Sequence, residues 1–236
     1  SDPSVSIYYT TNGYTPTAAS TLYTGPIAVS ATTVVRAIAV SPDPNILPGF
    51  VETNTYLIAE NHTIPVISVA GAGVQTLLDG DWGSEPIGSF DLFGENGQLE
   101  DEAVGEFNKH GNDSWAYDQR GFDYITRDEV GYDNEVSSLI FPTYTPRNQY
   151  QRLIIKAAAN DNYPFSNGGA HIRDAYVHAL SQRAHLDLDE RTYEPCIVYL
   201  NGQYWGVYEI REKADDHDYT GYYYDQGKEW IDYIKT

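Results

Sequence analysis

Methionine is absent from the 236 residues, cysteine occurs once, and basic residues number 14 against 34 Asp and Glu. Each scarcity excludes something. The single thiol, Cys196, cannot form a disulfide within the chain. Its place in the apolar run Cys196-Ile197-Val198-Tyr199-Leu200 marks a buried, inert side chain rather than a nucleophile. No apolar run approaches the roughly 18 residues a membrane-crossing helix needs, so no membrane insertion is expected. A formal charge of −20 supplies no basic patch for phosphate backbones, and nucleic acid is excluded as an expected partner. No leader pattern opens the chain. With no methionine anywhere, the expectation is that Ser1 is not where the gene begins and that a signal sequence lies upstream. An acidic, secreted or cell-surface protein fits this composition.

Tyrosine is abundant, with 21 residues against 7 Phe. It combines apolar area with a hydrogen-bonding tip, which suits half-exposed sheets, sugar contacts and interfaces between chains. Asn61-His62-Thr63 and Asn112-Asp113-Ser114 make Asn61 and Asn112 candidate glycosylation sites in a host that glycosylates.

Residues 5–58 read as short strands. Val5, Ile7 and Tyr9 alternate, Asn12-Gly13 supplies a turn, and Val34, Arg36, Ile38 and Val40 share one parity. Thr53, Thr55 and Leu57 close the pattern. Strands punctuated by Gly and Pro at about ten-residue spacing predict a β-sandwich. Ile7-Tyr8-Tyr9-Thr10-Thr11-Asn12-Gly13-Tyr14-Thr15-Pro16-Thr17 resembles a signature of chitobiase/hexosaminidase carboxy-terminal modules. Leu22–Ile27, Val35–Ala39 and Thr53–Ile58 continue it in order. The resemblance implies an immunoglobulin-like β-sandwich over residues 1–60, lacking a strand at its amino-terminal end that a partner chain could supply. It also implies glycan contact through Tyr8, Tyr9 or Tyr23; the alternative is that these rings pack the sandwich. Glu60-Asn61-His62-Thr63-Ile64-Pro65 is the expected boundary, with a new strand at Val66–Val69.

Further on, strands are predicted at Ile87–Phe93, through Val104, Glu106 and Asn108, at Gly121–Ile125 and at Arg152–Ala157. Ile172, Tyr176, Ala179, Leu180 and Arg183 form one stripe at helical spacing, expected to dock on Leu153–Ile155. Ile197–Leu200 and Gln203–Tyr208 flank Asn201-Gly202, the residue pair a type I′ hairpin requires. An acidic stretch follows through Glu212, Asp215, Asp216 and Asp218, and the chain closes with 230–234.

This succession resembles the CotH kinase family. It is carried by Arg152–Lys156, Asn160-Asp161, Ile172-Arg173-Asp174 and above all Leu200-Asn201-Gly202-Gln203-Tyr204-Trp205-Gly206-Val207-Tyr208-Glu209. Gly111–Ser114 and Gln119–Phe122 look like a diverged family segment, in which Trp115 stands where the family has Arg. The resemblance covers 64–236 and implies an atypical kinase-like amino-terminal lobe: a mixed sheet, one main helix and the Asn-Gly hairpin, with the catalytic lobe expected beyond residue 236. The implied activity is ATP- and Mg²⁺-dependent phosphorylation of a protein substrate outside the cell. Lys156 and Arg120 are rival phosphate-pairing cations. Asp174 would position such a cation, and Glu209 or Glu212 would occupy the family's acidic position after the hairpin. Turnover by residues 1–236 alone is not expected.

Asp215, Asp216 and Asp218 offer carboxylates to Ca²⁺ or Mg²⁺, or form an acidic helix start favoured by the helix dipole. Asn160-Asp161-Asn162 with Asn167 is a second oxygen-rich loop. His171, His178 and His185 recur every seven residues and are expected at the surface rather than on zinc. Besides the kinase-like role, two other functions fit: a surface or fibre-forming scaffold that self-assembles, and a glycan-binding module.

Overall fold

A computed structural model describes residues 4–162, 168–186, 188–190 and 192–230. Asn167 and the closing segment 231–234 lie outside the described residues.

The first strands are β1 (Ser6–Thr10), β2 (Thr21–Leu22), β3 (Thr33–Val40) and β4 (Glu52–Tyr56). They pair antiparallel in the order β2-β1-β3-β4. The alternating run Thr32–Val40 forms β3 over Thr33–Val40, and the expected face is buried in its first half. Val34 and Arg36 are buried, and the Arg36 guanidinium donates to Thr53 Oγ1 (3.1 Å), Thr15 Oγ1 (3.2 Å) and the Gly13 carbonyl (3.3 Å). Among the described residues this is one sheet of four strands, not a two-sheet sandwich. The sheet packs against the rest of the molecule instead.

The remainder is built on β5 (Val66–Ala70), α1 (Ala72–Asp79), β6 (Ile87–Phe93), β7 (Leu99–His110) and β8 (Gly121–Thr126). A small ribbon of β9 (Val136–Ser137) and β10 (Gln149–Tyr150) follows. Then come β11 (Arg152–Lys156), α2 (Arg173–Arg183), β12 (Glu194–Leu200), β13 (Gln203–Glu212) and α3 (His217–Tyr224). Seven strands close a barrel in the order β11-β13-β12-β5-β6-β7-β8, with β8 returning to β11. Among these barrel strands only β5 and β12 pair parallel. The kinase-like mixed sheet expected from the resemblance is therefore closed, and the described residues hold three α-helices rather than one main helix.

Alternate residues of each strand fill the barrel. Phe90, Phe107, Phe122, Tyr124, Leu153, Ile155, Val198, Tyr208 and Ile210 are buried in one cluster, with Phe90 stacked on Tyr124 at 4.5 Å. Helix α1 joins this core with Val74, Leu77 and Leu78. The opposite parity on β5, β6 and β12 forms a second cluster of Val66, Phe93, Ile197 and Tyr199, covered by Leu57 and Ile64 of the connecting segment. Cys196 is fully buried, and burial pushes its thiol well above the ordinary value.

The hairpin forms as the Asn-Gly pair dictates: Asn201 and Gly202 have φ of 52° and 80°, the left-handed values of a type I′ turn. Asn201 then does a second job, its Oδ1 accepting from the Gly71 N–H at 2.9 Å ahead of α1.

Helix α2 departs from expectation. Ile172, Tyr176 and Leu180 are about half exposed, and of the helix only Ala175 is buried. The apolar stripe does not dock on Leu153–Ile155: Leu153 and Ile155 point into the barrel core, out of reach of a helix outside it. His171, expected at the surface, is buried.

Candidate functional site

The strands' period of two puts Leu153 and Ile155 into the core and leaves Ile154 and Lys156 on the outer wall. On the adjacent β13, Tyr208 and Ile210 point in while Glu209 and Arg211 point out, with Lys156 opposite Glu209 and Ile154 opposite Arg211. Helix α2 carries Asp174 in its first turn, and that side chain reaches this wall. The Asp174 carboxylate accepts from Lys156 Nζ and lies 2.8 Å from Arg211 Nη1, with His178 Nε2 at 3.6 Å one turn along. His178, Lys156 and Arg211 together hold Asp174 well below the usual carboxylate range. Arg211, fully buried, also donates to Glu209 Oε2 through Nη2 (2.6 Å) and Nε (3.0 Å). Two cations and two carboxylates thus neutralise one another, and Lys156 is fixed in position rather than waving in solvent. Lys156 meets Asp174, not Asp161. The Asp161 carboxylate instead accepts from the N–H groups of Ala170, Ile172 and Arg173 ahead of and at the start of α2.

Beside Lys156 a cleft of about 110 Å³ opens between the end of β11 and the connection from β7 to β8. His110, Gly111, Ser114, Gln119 and Gly121 line it with Lys156, and no lining residue carries a carboxylate. The Gly111–Ser114 and Gln119–Phe122 segments are thereby placed next to the strand lysine. Arg120, the rival cation, is absent from this lining. Its Nη1 donates to the Leu78 carbonyl (2.8 Å), its Nε to that of Trp115 (3.2 Å), and its guanidinium lies over the Trp115 ring. It ties α1 to the 113–116 turn.

Glu212 belongs to a different cluster, at one end of the barrel. It is buried with Arg147, whose Nη1 reaches Glu212 Oε1 at 3.0 Å and whose Nη2 reaches Asp218 Oδ1 at 2.7 Å. Thr192 Oγ1 donates to Glu212 Oε2 at 3.0 Å. Arg152 Nη1 pairs with Asp216 Oδ2 (3.0 Å), and Lys213 Nζ lies 3.7 Å from Asp215 Oδ1. Asp216 also caps α3, accepting from the Asp218 N–H at 3.1 Å. The acidic stretch is a capped helix start tied to three cations.

Tyr9 and Tyr23 meet edge to face at 6.4 Å, and Tyr8 lies beside Tyr9 on β1. Asn61 and Asn112 are exposed.

Sequence reasoning missed four residues of these clusters: Arg211, Arg147 and the pair His110–Asp123. His110 Nδ1 lies 2.7 Å from Asp123 Oδ1, and Lys213 Nζ donates to Asp123 Oδ2 at 2.6 Å. Burial pushes Asp123 upward, but the hydrogen bond from His110 and the charge of Lys213 outweigh it and hold the carboxyl below its ordinary value. The available signal was parity, since Asp123 alternates with the core residues Phe122 and Tyr124 and must lie on the outer wall.

The fold and the site define a mainly β protein with a closed barrel that carries an ion-paired lysine at the rim of a small polar cleft. The CotH kinase protein family model matches residues 109–227, half of the 236-residue chain, and spans both the cleft and the Asn-Gly hairpin. The chain belongs to the CotH kinase family. Residues 1–45 match the chitobiase/beta-hexosaminidase C-terminal domain. No curated protein matches the chain.

Proposed function

We propose that this chain is the nucleotide-binding part of a kinase-like protein acting outside the cell or on its surface, with the phosphates of ATP seated at Lys156. One observation carries the reading: a strand lysine fixed by a helix carboxylate at the edge of a cleft free of acids. A phosphoryl chain needs a positioned cation, and a lysine–carboxylate pair between strand and helix is the device protein kinases use to supply one. Lys156 has three donors, of which Asp174 engages one, so the others remain for a ligand. Bound ATP would bring the transferable phosphoryl group; the chain's part is to bind and orient it. The residues at the cleft fit a phosphate. Among the described residues no three of His, Cys, Asp and Glu converge to hold a metal ion.

Calorimetric titration of the chain with Mg-ATP tests the reading. Saturable binding weakened at least tenfold by Lys156→Met is expected, one charge-assisted contact being worth about that much. A folded protein that binds no nucleotide, or binds it equally well after Lys156→Met, would refute the proposal.

A further inference from the structure

The cleft has a second wall that the nucleotide reading does not use. His110 ends β7 on the outer parity, directly opposite Gly121 of β8. Lys156 ends β11 on the far side of the same glycine, since Ile155 pairs with Phe122. Gly121 carries no side chain and lines the cleft between the two; a Cβ there would meet the His110 and Ile155 carbonyl oxygens at 3.3 Å and His110 Cδ2 at 3.6 Å, so any other residue would intrude on the row. The imidazole is not free to turn. Its Nδ1 is held by Asp123 at 2.7 Å, and Asp123 is itself held by Lys213 at 2.6 Å. This chain of contacts orients the ring as a carboxylate orients a ligating or catalytic histidine, and it leaves Nε2 as the uncommitted nitrogen.

The remaining lining is also donor-rich. Ser114 brings a hydroxyl, while Gln119 is anchored by accepting from Asn162 Nδ2 at 2.7 Å and by donating from Nε2 to the Trp205 carbonyl at 3.5 Å, which leaves one amide N–H as a donor. In a protein with 34 acidic residues, a cleft lined by a lysine, a histidine, a hydroxyl and an amide, and by no carboxylate, is set apart from the chain's overall charge. At about 110 Å³ it admits one tetrahedral oxyanion and not a nucleoside.

We infer that the gap over Gly121, between Lys156 and the Asp123-held imidazole of His110, is a subsite for a single phosphomonoester group. The inference deepens the nucleotide-binding reading of the same cleft and rests on it. The phosphate can arrive on a nucleotide or on a phosphorylated side chain, and the same chemistry recognises both.

The test follows the ¹⁵N-labelled imidazole of His110 in the whole chain by NMR while inorganic phosphate is added. A saturable shift of the His110 signal is expected, with the phosphate affinity falling at least tenfold in His110→Gln. Competition by ADP would assign the group to a nucleotide; competition by a phosphoserine peptide would assign it to a protein side chain. Failure of millimolar phosphate to move the wild-type signal overturns the inference, and that arm does not depend on any variant folding. If ATP binds through Lys156 but neither phosphate nor ATP perturbs His110, the subsite is refuted while the nucleotide reading stands. If phosphate moves His110 and no nucleotide binds, the subsite stands and the nucleotide reading falls.

Discussion

Asp91 sits where the four-stranded sheet meets the barrel, and replacing it with Asn tests how the two are joined. It lies on the outer parity of β6, between the core residues Phe90 and Leu92, and is 1% exposed. Thr55 of β4 donates to its Oδ2 at 2.6 Å and also contacts Ser68 Oγ of β5 at 2.8 Å. Arg36 of β3 attracts the carboxylate and Glu102 of β7 repels it, while Glu52 and Asp133 line the small cavity alongside. Burial dominates and pushes Asp91 from 3.8 up to about 7. The folded protein therefore holds a proton there that the unfolded chain has already released, so stability falls as pH rises from about 4 to about 7 and is level above. At roughly 1.4 kcal/mol for each pH unit, the loss across that span is about 4 kcal/mol. Asp91→Asn is neutral throughout and keeps an oxygen for Thr55. Urea denaturation at a series of pH values should show the variant level with wild type near pH 4 and more stable by up to about 4 kcal/mol at pH 8. A stability difference that stays constant between these pH values would refute the argument, because Asp91 would then not titrate with folding.

Arg147→Met should lower stability by about 3–5 kcal/mol, since it leaves the buried Glu212 and the paired Asp218 without their shared cation; a thermal melt measures it, and adding Glu212→Gln should recover part of the loss. Asn201→Ala should cost about 1–3 kcal/mol by forcing a Cβ residue without a supporting amide into φ 52° and removing the acceptor of the Gly71 N–H. Asn201→Gly should restore the backbone part alone, and a loss no larger for Ala than for Gly would show that the turn conformation is unimportant.

Much of the local structure was readable from residue pattern. The alternation of 32–40 became β3, Ile87–Phe93 became β6 at those bounds, and the Asn-Gly pair became the turn between β12 and β13. Helix α1 was overlooked although Val74, Leu77 and Leu78 stand at helical spacing, because eight residues beside a glycine give a weak periodic signal. The stripe of α2 had the right period and the wrong environment. Periodicity says which residues share a face, but not whether another element has already covered the surface that face would seek. Lys156 and Asp174 were visible as candidates, and their contact follows from a helix whose first turn lies on the strand's outer wall.

The amino-acid order by itself determined the longer strands, their parity, the hairpin turn, the acidic balance and both family resemblances, because each depends on neighbours a few residues apart or on motifs matched in sequence; the two-residue strands β2, β9 and β10 left no such signal. Tertiary structure alone decided that seven strands close on themselves, that the first sheet packs on the barrel instead of on a second sheet, and that His110, Asp123, Lys156 and Lys213 share one wall. Those outcomes depend on pairings such as Val66 with Ile197 and Gly121 with His110. Strand pairing is set by competition among all the edges of the chain at once, and no local stretch of residues encodes it.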